Sequence, residues 1–362
     1  HKKPSGVWIM SYTNGLDKPS DYFTTKLYSG NGGTQSITGL DFQPDWVWIK
    51  QRNAAQSHVL IDSVRGVLKR LRSDQSDAED TLANSLTAFG TDGFTLGSAQ
   101  EVNDNSDTYV AWNWKAGTSF TNDASATGIG SIDSTGSVNT TSGFSICSYT
   151  GTGSAGTIKH GLSTAPKMII WKNRSATASW QVYHHTLPLS SGEYQALQLN
   201  LTNVSAPFGT YNFMNATAPT STVFSLDGVP EMNGNGNSII AYCFAEKQGY
   251  SKFGSYTGND NADGTFVYLG FKPAFVMIKR TNSVNDWIML DNKRNGFNVV
   301  DDRLLANTNA AEATTNLLDF TSTGMKMRAT YGGVNGASDN FIYMAFAEES
   351  FVSSTGVPAT AR

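Results

Sequence analysis

One pattern of landmark residues occurs three times along the chain, and this repetition constrains the fold more than any other feature. Each copy opens with Tyr-x-Gly, reaches a proline sixteen or seventeen residues later and a lysine six residues after that, and has Asp or His twelve residues beyond the lysine. The landmarks are Tyr28, Pro44, Lys50, Asp62 and Asn103; Tyr149, Pro166, Lys172, His184 and Asn233; Tyr256, Pro273, Lys279, Asp291 and Asn335. Fixed offsets of this kind are left by duplication, and a period near one hundred residues suits a small domain. The sequence therefore predicts three related domains in tandem.

Segments rich in Pro, Gly, Ser and Thr set the predicted boundaries. Residues 1–9 lack an apolar core long enough for a signal peptide. They are either native or foreign, in which case Met10 is the native start. The predicted organisation is an N-terminal arm 1–19, a first repeat 20–117, a Ser/Thr/Gly linker 118–142, a second repeat 143–248, a third repeat 249–351 and a C-terminal tail 352–362.

Short apolar runs predict strands rather than helices. The runs 46–49, 168–171 and 275–278 are four residues long, rich in β-branched and aromatic side chains, and preceded by proline, which is typical of strands buried on both faces. The best helix candidate, 62–79, is expected to give one or two turns at most. We predict an all-β chain of three tandem β-sandwich domains, of jelly-roll or concanavalin-like type, with superposable strand orders and little helix.

Composition limits the classes of function. Charged residues make up 15% of the chain and the net charge is −4 without a basic run, so a nucleic-acid partner is not expected. No stretch approaches eighteen apolar residues, so no membrane span is expected. The two cysteines, Cys147 and Cys243, exclude a disulfide scaffold and a cysteine-based zinc site. We expect them to be free thiols on neighbouring first and last strands of the second repeat.

Two acid–arginine pairs are the first candidate site. Asp62 with Arg65 and Asp291 with Arg294 have the same spacing and the same distance from the preceding lysine. Arginine and carboxylate can grip sugar hydroxyls, so these four residues are candidate ligand-binding residues. The alternative, which equal spacing in two divergent copies favours, is a structural ion pair that fixes a loop.

The second repeat offers Trp180 and His184 instead, as a stacking and hydrogen-bonding pair for a sugar. Adjacent His184 and His185 cannot both face one metal from a regular strand, so no metal site is predicted, and no cofactor is implied. No acid pair or nucleophile elbow is in place, so no catalytic residue is assigned. The tryptophans of the first repeat would form either a sugar-stacking platform or, as we favour, a core. The lysine landmarks are predicted to be exposed at strand ends.

Several motifs together resemble a domain of unknown function found in virion proteins of marine tailed bacteriophages. They include Pro44-Asp-x-Val-Trp-Ile-Lys-x-Arg52, Asp62-Ser-Val-Arg-Gly66, Ala241-Tyr-Cys-Phe-Ala245 and Ser255-Tyr-Thr-Gly258. The resemblance covers about residues 20–350 and implies a structural protein of the tail-fibre, appendage or head-decoration type, with no established catalytic residues to transfer.

The expected function is that of a non-catalytic virion surface protein, assembled in the host cytoplasm and released by lysis. It would mediate host-surface attachment or virion assembly, with other virion proteins and a host cell-surface glycan as partners, in a homo-oligomer such as a trimer. Glycan binding would be weak per domain and strengthened by multivalency. A purely structural fibre or capsid-decoration subunit is the alternative, and a polysaccharide depolymerase is a third interpretation.

Overall fold

The structure, a computed structural model, describes residues 16–209 and 211–350, and these residues form an all-β molecule. Helix is limited to short turns within them. These are α1 (Gln100–Asn103), α2 (Ala124–Thr127), α3 (Pro230–Asn233), α4 (Gly332–Asn335) and the 3₁₀ turns Pro19–Asp21 and Phe213–Ala216. The prediction of an all-β chain with little helix is confirmed.

The first repeat folds into the first unit, with two main layers of antiparallel strands. Its strands are β1 (Phe23–Ser29), β2 (Gln35–Thr38), β3 (Trp46–Gln51), β4 (Val59–Asp62), β5 (Lys69–Arg70), β6 (Asp80–Thr81), β7 (Leu86–Gly90), β8 (Gly93–Leu96) and β9 (Thr108–Trp114). The main sheet has the order β1-β9-β3-β4 and the second sheet the order β2-β8-β7, while β5 and β6 form a small ribbon.

The second unit is preceded by two strands that extend its main sheet. Its strands are β10 (Thr118–Asn122), β11 (Ser134–Asn139), β12 (Phe144–Thr150), β13 (Gly156–Lys159), β14 (Met168–Asn173), β15 (Gln181–His184), β16 (Leu189–Ser190), β17 (Glu193–Tyr194), β18 (Leu197–Gln198), β19 (Val223–Leu226) and β20 (Ser238–Phe244). The main sheet runs β10-β11-β12-β20-β14-β15-β18, and β13 pairs with β19. The predicted linker 118–142 is therefore wrong in part, because β10 and β11 are hydrogen-bonded sheet strands.

The third unit has one continuous, nearly closed sheet of eight strands. Its strands are β21 (Ser251–Thr257), β22 (Phe266–Tyr268), β23 (Phe271–Arg280), β24 (Trp287–Asp291), β25 (Val300–Leu305), β26 (Ala313–Thr321), β27 (Gly324–Met327) and β28 (Asn340–Ser350). The order is β21-β28-β23-β24-β25-β26-β27-β22. Here the strands that correspond to the second layer are joined to the main sheet instead of forming a separate one.

The same four-strand order recurs in the three units. The first strand pairs with the last, followed by the strand that contains the landmark lysine and then the strand that ends at the landmark Asp or His: β1-β9-β3-β4, β12-β20-β14-β15 and β21-β28-β23-β24. The predicted neighbourhood of first and last strands is confirmed. Cys147 lies opposite Ala241, and Cys243 lies opposite Ser145. Both cysteines are buried free thiols, as expected.

The landmark residues close each unit in the same way. The tyrosine hydroxyl donates a hydrogen bond to the carbonyl that precedes the landmark asparagine, and the asparagine side chain holds the loop after the Tyr-x-Gly triplet. The tyrosine bonds are Tyr28 to Val102 O (2.7 Å), Tyr149 to Met232 O (2.6 Å) and Tyr256 to Val334 O (2.6 Å). A Cβ atom at Gly258 would lie 2.3 Å from Gly336 O. Only glycine therefore fits this close backbone approach.

The largest hydrophobic core is shared by the three units. On β3, Trp46 and Trp48 face this central core, whereas Val47 and Ile49 face a core that belongs to the first unit. The alternation follows from the two-residue period of a strand, and it recurs on the equivalent strands of the other units. Aromatic members of the central core are Phe23, Trp46, Trp48, Trp112, Trp114, Phe144, Trp180, Tyr242, Phe244, Tyr250, Phe253, Phe275, Trp287 and Phe346. The tryptophans of the first repeat are thus core residues and not an exposed platform.

Two further predictions are corrected by the described residues. The segment 62–79 is not helical, because β4 ends at Asp62 and the Asp62 carboxylate accepts the backbone N–H groups of Val64 and Arg65, which fixes a tight turn. Leu68 then adopts a positive φ of 64°, which no helix interior tolerates. Of the predicted arm 1–19, only 16–19 lies within the described residues, and the tail 352–362 lies outside them.

The three landmark lysines are buried, so their predicted exposure is wrong. Lys50, Lys172 and Lys279 are 0% exposed. Each ammonium donates to two backbone carbonyls, among them Ala178 O and Ser76 O for Lys172 and Asn285 O and Thr202 O for Lys279. These carbonyl oxygens replace the water that a buried ammonium loses. Burial lowers the pKa of each lysine to about 8.

Candidate functional site

The two acid–arginine pairs are buried ion pairs with the same geometry. Arg65 Nε lies 2.5 Å from Asp62 Oδ2, and Arg294 Nε lies 2.6 Å from Asp291 Oδ2. In each pair the other carboxylate oxygen accepts the backbone N–H of the arginine. Neither side chain of either pair is exposed. The geometry agrees with the second of the two interpretations drawn from the sequence, that of a structural ion pair. The burial of the four residues does not support the ligand-binding interpretation.

Each pair also contacts the next unit around the central core. Asp62 Oδ2 accepts a hydrogen bond from the Tyr242 hydroxyl of the second unit at 2.7 Å. Asp291 Oδ2 accepts one from Trp112 Nε1 of the first unit at 3.1 Å. His184 takes the equivalent position in the second unit, and its Nε2 donates to Tyr343 O of the third unit at 3.2 Å. The three units therefore meet at three equivalent interfaces, first with second, second with third and third with first.

A glutamate completes the ion cluster at two of these interfaces. Between the first and second units, Glu79 bridges Arg65 at 3.2 Å and Arg174 at 2.8 Å. Between the third and first units, Glu312 bridges Arg294 at 3.0 Å and Arg52 at 2.6 Å. Each interface is thus filled by two guanidinium groups around one carboxylate, in a mostly buried arrangement.

The interface between the second and third units lacks this cluster. Spacing from the landmarks identifies the replacements: Leu187 stands three residues after His184, as Arg65 stands after Asp62, and Thr281 stands two residues after Lys279. Ser205 replaces the glutamate, because its backbone N–H donates to Thr281 O just as Glu79 N–H donates to Arg174 O. Three short or apolar side chains therefore occupy the place of two arginines and a glutamate.

A cleft of about 660 Å³ lies at this divergent interface. The three replacement residues belong to its wall. The remaining lining residues are Thr186, Pro188, Gln195, Val204, Ser255, Tyr256, Thr257, Asn282, Asn340, Phe341 and Ile342. Its volume is within the range of small-molecule pockets. We define this cleft as the candidate functional site and call it the interface cleft.

The polar groups of the interface cleft are uncharged. Its lining residues include hydroxyl and carboxamide side chains but no Asp, Glu, Lys, Arg or His. Ser205 Oγ donates to Gln195 Oε1 at 2.6 Å, and Thr281 Oγ1 donates to Asn340 O at 3.1 Å. Such groups position a neutral ligand through hydrogen bonds, whereas acid–base chemistry requires titratable side chains. The cleft is therefore equipped for binding.

The other predicted site residues, Trp180 and His184, are buried and are not among the residues that line the cleft. Trp180 is 0% exposed, and its Nε1 donates to Arg72 O of the first unit at 2.7 Å. His184 Nδ1 lies 2.9 Å from Thr186 Oγ1, which links this histidine to the cleft wall. Both side chains contact neighbouring units. Their burial does not support the predicted role as a sugar-contacting pair.

The three replacement residues, Leu187, Ser205 and Thr281, could not be recognised from their own chemistry, because each has a short or apolar side chain. The signal was nevertheless in the repeat: two residues after the lysine landmark the three copies read Arg, Arg and Thr. Three residues after the Asp or His landmark they read Arg, Leu and Arg. A position where two copies keep a charged residue and the third has lost it marks the divergent interface.

Three buried histidines give the protein a predicted pH dependence. Burial lowers the pKa of His58 to about 3, of His160 to about 4 and of His184 to about 3, compared with about 6.5 in the unfolded chain. Below pH 6.5 the unfolded chain binds protons that the folded protein excludes. The folded protein therefore has its full stability with respect to these three histidines above pH 6.5. This stability is lost as the pH falls from 6.5 towards the pKa values of the histidines in the folded protein.

We expect the free energy of unfolding to fall between pH 6.5 and 5 with a limiting slope of about 1.4 kcal/mol per pH unit for each histidine. Urea unfolding at several pH values in this range measures the slope. The variant His160→Gln should reduce the limiting slope by the contribution of one histidine, about 1.4 kcal/mol per pH unit. A free energy that stays constant from pH 6.5 to 5 would contradict the prediction.

Within 16–209 and 211–350, no group of three or more His, Cys, Asp or Glu side chains is arranged to hold a metal ion. None of the helices found there is long and apolar enough to cross a membrane.

Comparison with known protein families assigns the chain. The model of the domain of unknown function DUF7483 matches residues 18–350, so the chain belongs to the DUF7483 family. The match includes the three units and the interface cleft. No curated protein matches the chain.

Proposed function

We propose that this chain is a non-catalytic bacteriophage virion surface protein, of the tail-fibre, appendage or head-decoration type, built from three diverged copies of one sandwich-like domain. It serves host-surface attachment or virion assembly, with other virion proteins as partners, and contacts its ligand through the interface cleft. The virion assignment is supported by the motif resemblance over residues 20–350, and the common origin of the units by their recurring strand order.

One observation carries the binding role. The polar residues that repeat between copies are used inside the protein, as ion pairs, lysine–carbonyl contacts and loop-holding asparagines. The divergent interface, in contrast, opens into a cleft with uncharged walls. Duplicated units keep what folding requires, and a site where one copy departs from the others is free to acquire a ligand.

The virion assignment predicts where the protein is found. In particles purified from lysed host cells, antibodies raised against the full chain should label a fixed position on the particle in immunogold electron microscopy. The control is the same antibody on particles of an unrelated phage. If purified particles contain no copy of the chain by mass spectrometry, the virion assignment is wrong.

The non-catalytic assignment predicts no turnover of bacterial polysaccharide. Asp62 and Asp291 are the acids that recur in register, and both are buried in ion pairs, where they cannot reach a substrate. Incubation with host capsular polysaccharide or lipopolysaccharide should release no reducing ends or unsaturated products. Sustained release that Asp62→Asn or Asp291→Asn abolishes would show that the protein is an enzyme.

A further inference from the structure

We propose that the interface cleft between the second and third units binds a neutral oligosaccharide. This inference rests on the proposed binding role of the cleft and adds the chemical class of the ligand. The ligand class follows from three observations. The other interfaces have arginine and glutamate side chains at the position of the cleft, the cleft walls are uncharged, and the walls combine polar with apolar groups.

At the interface between the first and second units, an arginine side chain extends to β12, the strand equivalent to β21 in the cleft wall. Arg174 Nη1 lies 3.5 Å from Ser148 Oγ on β12. Ser255 on β21 is the equivalent serine, since each directly precedes the landmark tyrosine of its unit. Thr281, which replaces the arginine, is too short to extend over β21, and Ser255 and Thr257 are exposed. The cleft thus includes the place that an arginine and its glutamate fill at the other interfaces.

The uncharged walls select a neutral ligand. A carboxylate or phosphate placed in the cleft would lose water without meeting a cation among the lining residues, and an unpaired charge is costly to desolvate. Sugar hydroxyls, in contrast, both donate and accept hydrogen bonds. The Ser, Thr, Asn and Gln side chains of the wall offer the same two capacities. Hydroxyl-rich neutral ligands therefore complement the cleft.

The walls also provide apolar surface for the C–H face of a sugar ring. Val204 is 38% exposed and Pro188 is also exposed, and both belong to the cleft wall. The Tyr256 ring, in contrast, packs against the core of the third unit, so it is Ser255 and Thr257 on either side of it that are exposed on β21. A few apolar groups among many hydrogen-bonding groups suit an amphipathic ligand such as an oligosaccharide.

The binding experiment uses the full chain and defined sugars. Saturation-transfer NMR and calorimetry are carried out with maltotriose, cellotriose, mannotriose and galactotriose as neutral probes, and with trigalacturonic acid as the acidic probe. We expect at least one neutral trisaccharide to bind, and the acidic one to bind at least tenfold more weakly. Failure of all neutral probes, or equal binding of the acidic probe, would overturn the inference.

Two variants test the location. Ser205→Glu with Thr281→Arg rebuilds the ion pair of the other interfaces inside the cleft and should weaken binding more than tenfold. Ser255→Phe adds bulk at an exposed wall position, so it tests the same point if the double variant folds poorly. Thr87→Arg, on an exposed position of β7, is the control and should leave binding unchanged. Binding that survives both cleft variants would overturn the inference.

The outcomes separate this inference from the proposed function. A protein found on the virion that binds none of the neutral sugars disproves the ligand class and leaves the virion assignment in place. A protein absent from the virion whose cleft binds a neutral sugar disproves the virion assignment and leaves the cleft assignment in place.

Discussion

The variant Asp62→Ala should lower the free energy of unfolding by about 3–5 kcal/mol, the loss typical of a broken buried ion pair. It leaves the guanidinium of Arg65 buried without its closest carboxylate, and it removes the acceptor of the Tyr242 hydroxyl at 2.7 Å. The loss therefore affects both the turn after β4 and the interface with the second unit. Urea or thermal unfolding, followed by circular dichroism, measures the effect.

A matched control exists at the protein surface. Lys18 and Asp21 form an ion pair with the same three-residue spacing, but their side chains are 58% and 43% exposed. Water screens such a pair, so Asp21→Ala should cost less than about 1 kcal/mol. If Asp62→Ala costs no more than this control, the buried pair does not hold the interface.

The variant Trp46→Ala should destabilise the whole molecule by about 3–5 kcal/mol, the range for deleting a large buried aromatic side chain. The Trp46 ring lies 4.3 Å from the Tyr242 ring and 5.9 Å from the Phe144 ring, measured between centroids, and both belong to the second unit. The cavity would therefore open between units. Because the central core is shared, the wild-type protein and the variant should each unfold in one cooperative transition.

Differential scanning calorimetry tests this cooperativity. Phe297→Ala is the control, since Phe297 is 90% exposed and its removal should change stability by less than about 0.5 kcal/mol. Three separate transitions, of which Trp46→Ala lowers one alone, would show that the repeats are independent domains and that the shared core contributes little to joining them.

Comparison of sequence and structure shows which residues could be interpreted from their pattern. The strands β3, β14 and β23 were predictable because a short apolar run with β-branched and aromatic side chains has few other solutions. Pro44 and Pro166 precede their strands as expected, while Pro273 lies within β23 at a register shift, where a missing N–H is tolerated.

The burial and the role of other residues could not be predicted, because their contacts are made with residues of another unit. Lys172 appears in the sequence as a charged residue at a strand end, but the carbonyl of Ser76 in the first unit helps to solvate its ammonium. Asp62 was a candidate ligand contact, but Tyr242 and Arg65 occupy its oxygens. The burial of a charged residue whose partners belong to another unit cannot be predicted from its local sequence.

The sequence by itself determined the repeat, the all-β class and the pairing of first and last strands, since these depend on offsets and on the side-chain period along one strand. Only the tertiary structure decided that the three units face one core and meet at three equivalent interfaces. It also decided that one of these interfaces is open, since Leu187, Ser205 and Thr281 are far apart in sequence. Burial and contact between units depend on how sheets pack, which no local pattern encodes.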